Sequence, residues 1–99
     1  DIVGSFEAEL AGYLALPRDV QRAYPRGETA RIYGTALGEA LVREGFCWQL
    51  LSDAYGTDLV VVRDAGGADE KYTAPLIVVD QRFEDEEPDK LTEFLGQFL

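Results

Sequence analysis

Carboxylates are almost the only side chains in this sequence that could carry out chemistry. The chain has 19 Asp and Glu residues, one Cys and no His. Without His, the commonest general base and zinc ligand is missing, and neither a Ser–His nor a Cys–His catalytic pair can form within the chain. The pair Gly66-Gly67 also lacks the neighbouring Lys, Ser or Thr of a phosphate-binding loop. We therefore predict a protein that is not an enzyme and that uses no cofactor.

Three of the carboxylates, Asp80, Glu84 and Asp85, lie close together in the sequence. Such a cluster could hold Ca²⁺ or Mg²⁺ through oxygen ligands, but it lacks the regular spacing and the Gly of a calcium-binding loop. The acids that follow, within residues 86–89, suit the positive end of a helix dipole instead. We therefore predict no metal site, and a small metal-dependent or ligand-binding domain is the alternative function.

The single thiol belongs to Cys47, so no disulfide can form within the chain. Cys47 lies between Phe46 and Trp48 in an apolar run, which predicts a small core residue and not a nucleophile. A lone free thiol is typical of proteins in a reducing compartment. We therefore expect a cytoplasmic protein.

The net charge of −10 limits the classes of partner. Binding to nucleic acid or to an acidic membrane surface requires clustered Lys and Arg, so neither is expected. Residues 1–52 contain seven acids and five bases, whereas residues 53–99 contain twelve acids and four bases. An acidic second half would attract a basic protein partner. The alternative is that the excess charge only keeps the domain in solution.

An aromatic side chain lies between acids in the turn region of residues 53–58. Tyr55 is flanked in the sequence by Asp53 and Asp58. Aromatic residues are enriched in binding hot spots, and acids favour basic partners. Together with Glu84 and Asp85, these three residues are the predicted partner contacts. The alternative for Tyr55 is that its ring folds over the edge of the core.

The first half of the chain is predicted to be helical, over residues 5–16, 17–24 and 28–44. Ser5 is the expected N-cap of the first helix, and Gly45 ends the third. Gly34 and Gly38 lie one turn apart in that third helix, and each costs about 1 kcal/mol of helix propensity relative to Ala. We interpret them as sites where another part of the fold packs closely, with a partner groove as the alternative.

Strands are predicted over residues 46–52, 58–63 and 72–80, with a turn at 53–56 and a loop at 64–70. Pro75 cannot donate a ladder hydrogen bond, so an edge or a bulge is expected there. Short connections favour antiparallel pairing. Acids and Pro88 suit the first turn of a last helix, whose apolar stripe has helical spacing: Leu91, Phe94, Leu95, Phe98, Leu99.

These elements predict one α+β domain over residues 1–99, in which N-terminal helices precede a three-stranded antiparallel sheet and a C-terminal helix packs on that sheet. The chain does not begin with Met, which suggests a trimmed sequence or a structural domain excised from a longer protein.

Several short motifs resemble a family of small bacterial domains described as domain of unknown function 3806. The motifs are the Gly-x-x-x-Gly-Glu element of residues 34–39, Trp48, the acidic turn within 53–59, Pro75 and the Arg-Phe-Glu-Asp run of 82–85. The resemblance spans about residues 30 to 88. It implies a bacterial, intracellular α+β domain and no particular activity. By size, charge and fold class the chain is also similar to small acidic immunity proteins that neutralise toxins, an analogy that identifies no site.

The leading interpretation is therefore a non-enzymatic protein-binding domain, such as an immunity protein or an inhibitor. It would cover a basic partner with the acidic surface of residues 53–89.

Overall fold

The computed structural model describes residues 1–99 and shows an α+β fold. The helices are α1 (Ile2–Leu14), α2 (Arg18–Ala23), α3 (Arg26–Val42), α4 (Pro75–Asp85) and α5 (Lys90–Phe98). The strands are β1 (Cys47–Asp53), β2 (Gly56–Arg63) and β3 (Lys71–Thr73). They form an antiparallel sheet in the order β1-β2-β3, as the short connections predict. None of the helices has the length and apolar character needed to cross a membrane.

The N-terminal helix begins earlier than predicted, and its N-cap is Asp1 instead of Ser5. One carboxylate oxygen of Asp1 accepts a hydrogen bond from the backbone N–H of Gly4 at 2.6 Å. This contact satisfies one of the free N–H groups of the first turn, and an acid at this end also suits the helix dipole. Helix α3 ends at Val42, two residues before the predicted end, and the predicted stop at Gly45 follows with a positive φ of 97° that other residues rarely adopt.

The predicted third strand is wrong after its first residues. Strand β3 ends at Thr73, and residues 75–85 form helix α4. Pro75 is the first residue of this helix, a position where its missing N–H costs nothing, and not an edge or a bulge of the sheet. Val79 and Phe83 follow Pro75 at intervals of four residues, and all three side chains are buried. The apolar run predicts a strand as readily as a helix, because a buried helix and a buried strand are both rich in Ile, Leu and Val.

The last helix also starts later than the acidic run predicts. Glu84 and Asp85 end α4, while Glu86 takes a left-handed conformation that terminates it. Helix α5 begins only at Lys90, after a short link. It packs mainly against α4 and α1, and it reaches the sheet end of the core where Phe98 contacts Phe46. Of the four acids of residues 84–87, two therefore end α4 and two lie in the link, while Asp89 is the N-cap residue of α5.

Gly34 and Gly38 of α3 mark close packing, as predicted. A Cβ atom on Gly34 would lie 2.5 Å from the Cα atom of Leu76 in α4. A Cβ atom on Gly38 would collide with the indole ring of Trp48 in β1. Real Cβ atoms do not approach other atoms so closely, so only Gly fits at either position. Both glycines therefore serve the interior and do not line a groove.

A single core fills the space between the helices and one face of the sheet. Its members are buried side chains from α1, α3, α4, α5, strand β2 and the residue just before β1: Phe6, Leu10, Ala30, Leu37, Leu41, Phe46, Val61, Val79, Phe83 and Leu91. Each large member contributes roughly 1.5–3 kcal/mol through its removal from water. Phe46 and Val61 lie at the base of the sheet, so the core does not extend under its far end.

Candidate functional site

The far end of the β1–β2 hairpin projects beyond the core. The two strands pair along their whole length, from Cys47 opposite Val62 to Asp53 opposite Gly56. Strand β3, by contrast, pairs only with residues 61–63 of β2. The residues from 50 to 59, here called the hairpin arm, have no third strand beside them, and every one of them is exposed. The arm is therefore held only by its own ladder and turn.

Apolar side chains lie on both faces of the hairpin arm. Leu50 is 72% exposed and pairs across the ladder with Leu59, on the same face as the buried Val61. Leu51 is 45% exposed and lies on the opposite face. The helices cover the sheet only near Trp48 and Val61, so the leucines further along the arm meet solvent. Several large apolar side chains exposed on one projecting element are typical of an interaction surface.

Tyr55 lies at the tip of the arm and is 98% exposed. The alternative that its ring folds over the core edge is therefore wrong. A carboxylate oxygen of Asp53 accepts a hydrogen bond from the backbone N–H of Tyr55 at 2.8 Å, which fixes the turn. Behind the tip, the hydroxyl groups of Ser52 and Thr57 form a hydrogen bond of 2.9 Å across the ladder. The tip thus presents an aromatic ring on a structured turn.

Asp58 makes no side-chain hydrogen bond and no ion pair with the rest of the protein. It lies on the arm opposite Leu51, and the arm contains no Lys or Arg. The carboxylates of Asp53 and Asp58 are therefore available to a basic partner. Three of the five predicted contacts, namely Asp53, Tyr55 and Asp58, therefore lie together on the hairpin arm.

The other two predicted contacts lie elsewhere and are already paired. Glu84 contacts the guanidinium of Arg26 at 2.7 Å, and Asp85 contacts Arg82 at 3.1 Å. Neither carboxylate forms a hydrogen bond or an ion pair with the hairpin arm. The structure thus divides the five predicted residues into an exposed group on the arm and a pair at the end of α4, whose charges are balanced by Arg side chains.

Arg26 takes the position that a cation would need in the carboxylate cluster. Its Nε atom donates to Asp80 at 3.0 Å, and one Nη atom contacts Glu84. Hydrogen bonds from the guanidinium to Asp80 raise the pKa of Arg26, burial lowers it in part, and Glu84 raises it further. Asp85 contacts Arg82 instead of joining this group. No three His, Cys, Asp or Glu side chains lie close enough together to hold a metal ion.

Cys47 is exposed, so the prediction of a core cysteine is wrong. Successive side chains of a strand point to opposite faces, and Trp48 takes the inward position against α3. Cys47 and Gln49 consequently face outward. The indole Nε1 of Trp48 donates to a carboxylate oxygen of Glu39 at 3.2 Å, which anchors the ring at the edge of the core.

A shallow apolar groove of about 220 Å³ follows the outer face of the sheet. Its apolar lining consists of Leu51, Val60, Val62 and Tyr72, and Gln49 and Glu70 complete it. Sequence reasoning missed this surface. The available signal was the unbroken apolar run of residues 59–62 in β2, which places valines on both faces of the strand and so predicts apolar contacts on both.

A model of the family described as "Domain of unknown function (DUF3806)" matches residues 21–94. This segment contains all of α3, the sheet and α4, together with the first half of α5. No curated protein and no solved structure matches the chain. The matched segment therefore includes the hairpin arm and also Gly34 and Gly38 of α3, and it begins after α1.

Proposed function

The chain belongs to the DUF3806 family, and we propose that it is a non-enzymatic protein-binding domain whose hairpin arm binds a basic partner. The observation that carries this proposal is the exposure of the arm, where an aromatic ring, leucines and carboxylates project together from the core. Tyr55 and Leu50 supply apolar area, and Asp53 and Asp58 supply charge.

The apolar side chains of the arm support a protein partner in particular. Tyr55 is almost completely exposed, and buried aromatic side chains dominate the affinity of many interfaces. Covering Leu50 and Tyr55 would remove from water surface that the domain itself leaves uncovered. A binding partner would therefore gain its contact area from side chains that contribute little to the stability of the isolated domain.

The charges of the arm support a basic partner. Asp53 and Asp58 have no Lys or Arg neighbour on the arm, and the whole chain carries a net charge of −10. Long-range attraction of this kind raises the association rate more than it lowers the dissociation rate. Glu84 and Asp85 contribute less in this proposal, because each already pairs with an Arg side chain.

An inhibitor or an immunity protein is the form that we propose for this binding role, in the bacterial cytoplasm. Such a protein acts by covering a functional surface of its partner and needs no catalytic groups of its own. The exposed thiol of Cys47 would stay reduced in that compartment. The proposal rests on the arm alone and on no similarity to a characterised inhibitor.

The proposal is tested by capture of partners from a bacterial lysate with matched variants of the domain. The variant Asp53→Asn/Asp58→Asn removes two charges from the arm. The variant Asp19→Asn/Glu28→Gln removes two charges from helices α2 and α3, away from the hairpin. We expect the wild type and the helix variant to retain the same basic protein at low salt, and the arm variant to lose it.

The captured partner is then purified for kinetic measurements over a range of salt concentrations. Its association rate with the arm variant should be lower and should depend less on salt than with the wild type. Tyr55→Ala should mainly accelerate dissociation. Equal binding by the wild type and by both arm variants would show that the arm is not the contact surface.

A further inference from the structure

We propose that the partner binds by strand addition, in which an extended segment pairs with the free edge of β1. This inference rests on the proposed function and specifies how the partner is held. The sheet order places β2 between β1 and β3, so β1 is an edge strand along its full length. An edge strand presents unpaired N–H and C=O groups, which can form main-chain hydrogen bonds with another chain.

Nothing in the fold occupies this edge. The backbone hydrogen bonds outside the regular elements include no group from residues 47–53. No side chain forms a hydrogen bond with the backbone of these residues either. In the contact at the turn, the backbone N–H belongs to Tyr55, which lies beyond them, and the acceptor is the side chain of Asp53. The backbone groups of β1 that point away from β2 therefore have no partner within the protein.

The edge also lacks most of the features by which proteins usually prevent strand addition. Residues 47–53 contain no Pro, no Lys and no Arg, the one charged side chain is that of Asp53 at the tip, and the pairing with β2 runs without a bulge. Charged residues, prolines and bulges are the common means of blocking an exposed edge. The opposite edge strand, β3, differs, because it has only three residues, begins with Lys71 and is followed closely by Pro75. The unprotected edge therefore belongs to the strand that carries half of the hairpin arm.

The chemistry of the edge indicates the kind of segment that would bind. An added strand would place alternate side chains beside Leu50 on one face of the sheet and beside Leu51 on the other. At the tip end it would meet the carboxylate of Asp53, with Asp58 one strand further away on β2. The occupant is therefore an extended segment with apolar residues on both faces and a Lys or Arg near the tip.

A second copy of this chain fits the edge less well. Each copy carries a net charge of −10, so two copies repel each other as they approach. The negative charge thus favours the binding of a basic segment over self-association. A measurement of the oligomeric state of the free chain in solution distinguishes these two occupants of the edge.

The test uses dodecapeptides selected from a random displayed library for binding to the whole chain. We expect the selected peptides to combine apolar residues with Lys or Arg. The strongest peptide is then synthesised in three forms: one unmodified, and two N-methylated at alternate residues, one in each of the two possible registers. N-methylation keeps the charge and side chains but removes backbone donors, so binding should weaken by at least about tenfold in one of the two N-methyl registers.

Two proline variants of the domain provide a matched pair. Successive N–H groups of a strand point alternately toward and away from the neighbouring strand. Of Gln49→Pro and Leu50→Pro, one therefore removes a donor from the free edge and keeps the ladder to β2, and the other removes a donor of that ladder. Both side chains are exposed, so little packing is lost. The variant that keeps the melting temperature of the wild type should lose most of its peptide affinity.

Hydrogen exchange provides a readout independent of variant stability. In the complex, the amides of residues 47–53 that exchange freely in the unbound chain should become protected. Binding that is unaffected by N-methylation, or that leaves these amides unprotected, would overturn strand addition.

The proposed function and this inference can fail separately. If Asp53→Asn/Asp58→Asn weakens binding but N-methylation has no effect, the arm binds a basic partner by its side chains alone. If no peptide is selected, or if β1 is protected in a dimer of the free chain, strand addition by a partner is wrong. If neither the charge change nor N-methylation affects binding, both proposals are wrong.

Discussion

Gly34 occupies the point where the backbones of α3 and α4 come closest. A Cβ atom there would lie 2.5 Å from the Cα and 3.0 Å from the backbone N of Leu76. Backbone atoms cannot move aside as the end of a flexible side chain can. The residue at this position therefore determines how closely the two helices pack, and through them where the N-terminus of α4 lies.

We expect Gly34→Ala to lower the free energy of unfolding by about 1–3 kcal/mol through overpacking. The control is Gly12→Ala in α1, where no atom lies within 4 Å of the added methyl group. This control should instead raise the free energy of unfolding by about 0.5–1 kcal/mol, because Ala has the higher helix propensity. Urea denaturation followed by the fluorescence of Trp48 measures both. Stabilisation by both substitutions would contradict the close approach of the helices.

Glu7 is a second residue whose surroundings have a measurable effect, which is on the pKa of its side chain. Both of its carboxylate oxygens are shielded from solvent and lack a well-aligned hydrogen-bond donor. Burial raises the pKa of Glu7 above its usual value, and the adjacent carboxyl group of Asp89 raises it further, while backbone N–H groups of Asp89 and Leu91 lower it in part. The folded state therefore favours the protonated form more than the unfolded state does.

This pKa direction sets the sign of a pH effect. Because the folded-state pKa is the higher one, the contribution of Glu7 to stability is greatest below the usual Glu pKa and is lost as pH rises through the raised value. Glu7→Gln cannot ionise, so relative to wild type it should be more stable at about pH 7 than at about pH 4. Denaturation curves of both proteins at the two pH values measure this difference. The same relative stability at both values would contradict a raised pKa.

At the scale of elements, the hairpin is divided into a base held by the core and an arm held by itself. Residues 60–62 of β2 are buried, whereas residues 50–59 are all exposed. A two-stranded ribbon without a covered face is only marginally stable in water. The arm therefore keeps its shape through its ladder, the Asp53 turn and the Ser52–Thr57 hydrogen bond.

Amide hydrogen exchange should reveal this division. We expect the ladder amides of residues 50–59 to exchange through local opening, well before those of residues 60–62, which open only with the core. Mass-spectrometric or NMR exchange on the free chain at low concentration checks the order. Uniform protection along β2 would mean that the arm is covered in solution, by a second copy or by part of the core.

For the whole molecule, an excess of negative charge opposes the compact state. The net charge is −10, and most of the ion pairs join exposed side chains that contribute little in water. Salt screens both the repulsion among the excess negative charges and the attraction within these ion pairs. The repulsion is the larger of the two, so screening should favour the folded state on balance. The balance of charge therefore makes stability depend on ionic strength.

We expect the melting temperature to rise as NaCl increases from about 0.01 M to about 0.3 M, a range in which the screening length falls severalfold. Thermal unfolding followed by circular dichroism at several salt concentrations measures the shift. The variant Asp53→Asn/Asp58→Asn, which carries less charge, should show a smaller rise. A falling melting temperature would indicate that the ion pairs outweigh the repulsion.

The sequence by itself determined the elements whose signals are local. The helix of residues 28–44, the turn at 53–56 and the alternation in β1 depend on propensity, on Gly45 and Gly56, and on side-chain period. The exposure of Tyr55 did not follow from the turn alone, because its ring could equally have folded over the edge of the core. The antiparallel order followed from the short connections.

Tertiary packing decided what local signals leave ambiguous. Residues 75–80 read as a strand until α3 provides a surface for α4, because an apolar run can be buried in either conformation. Cys47 faces solvent because Trp48 takes the one inward position against Gly38, and Glu84 pairs with Arg26 from a distant part of the chain. The projection of the hairpin arm likewise depends on where the helices stop covering the sheet, a distance set by the packing of the whole domain and by no single segment.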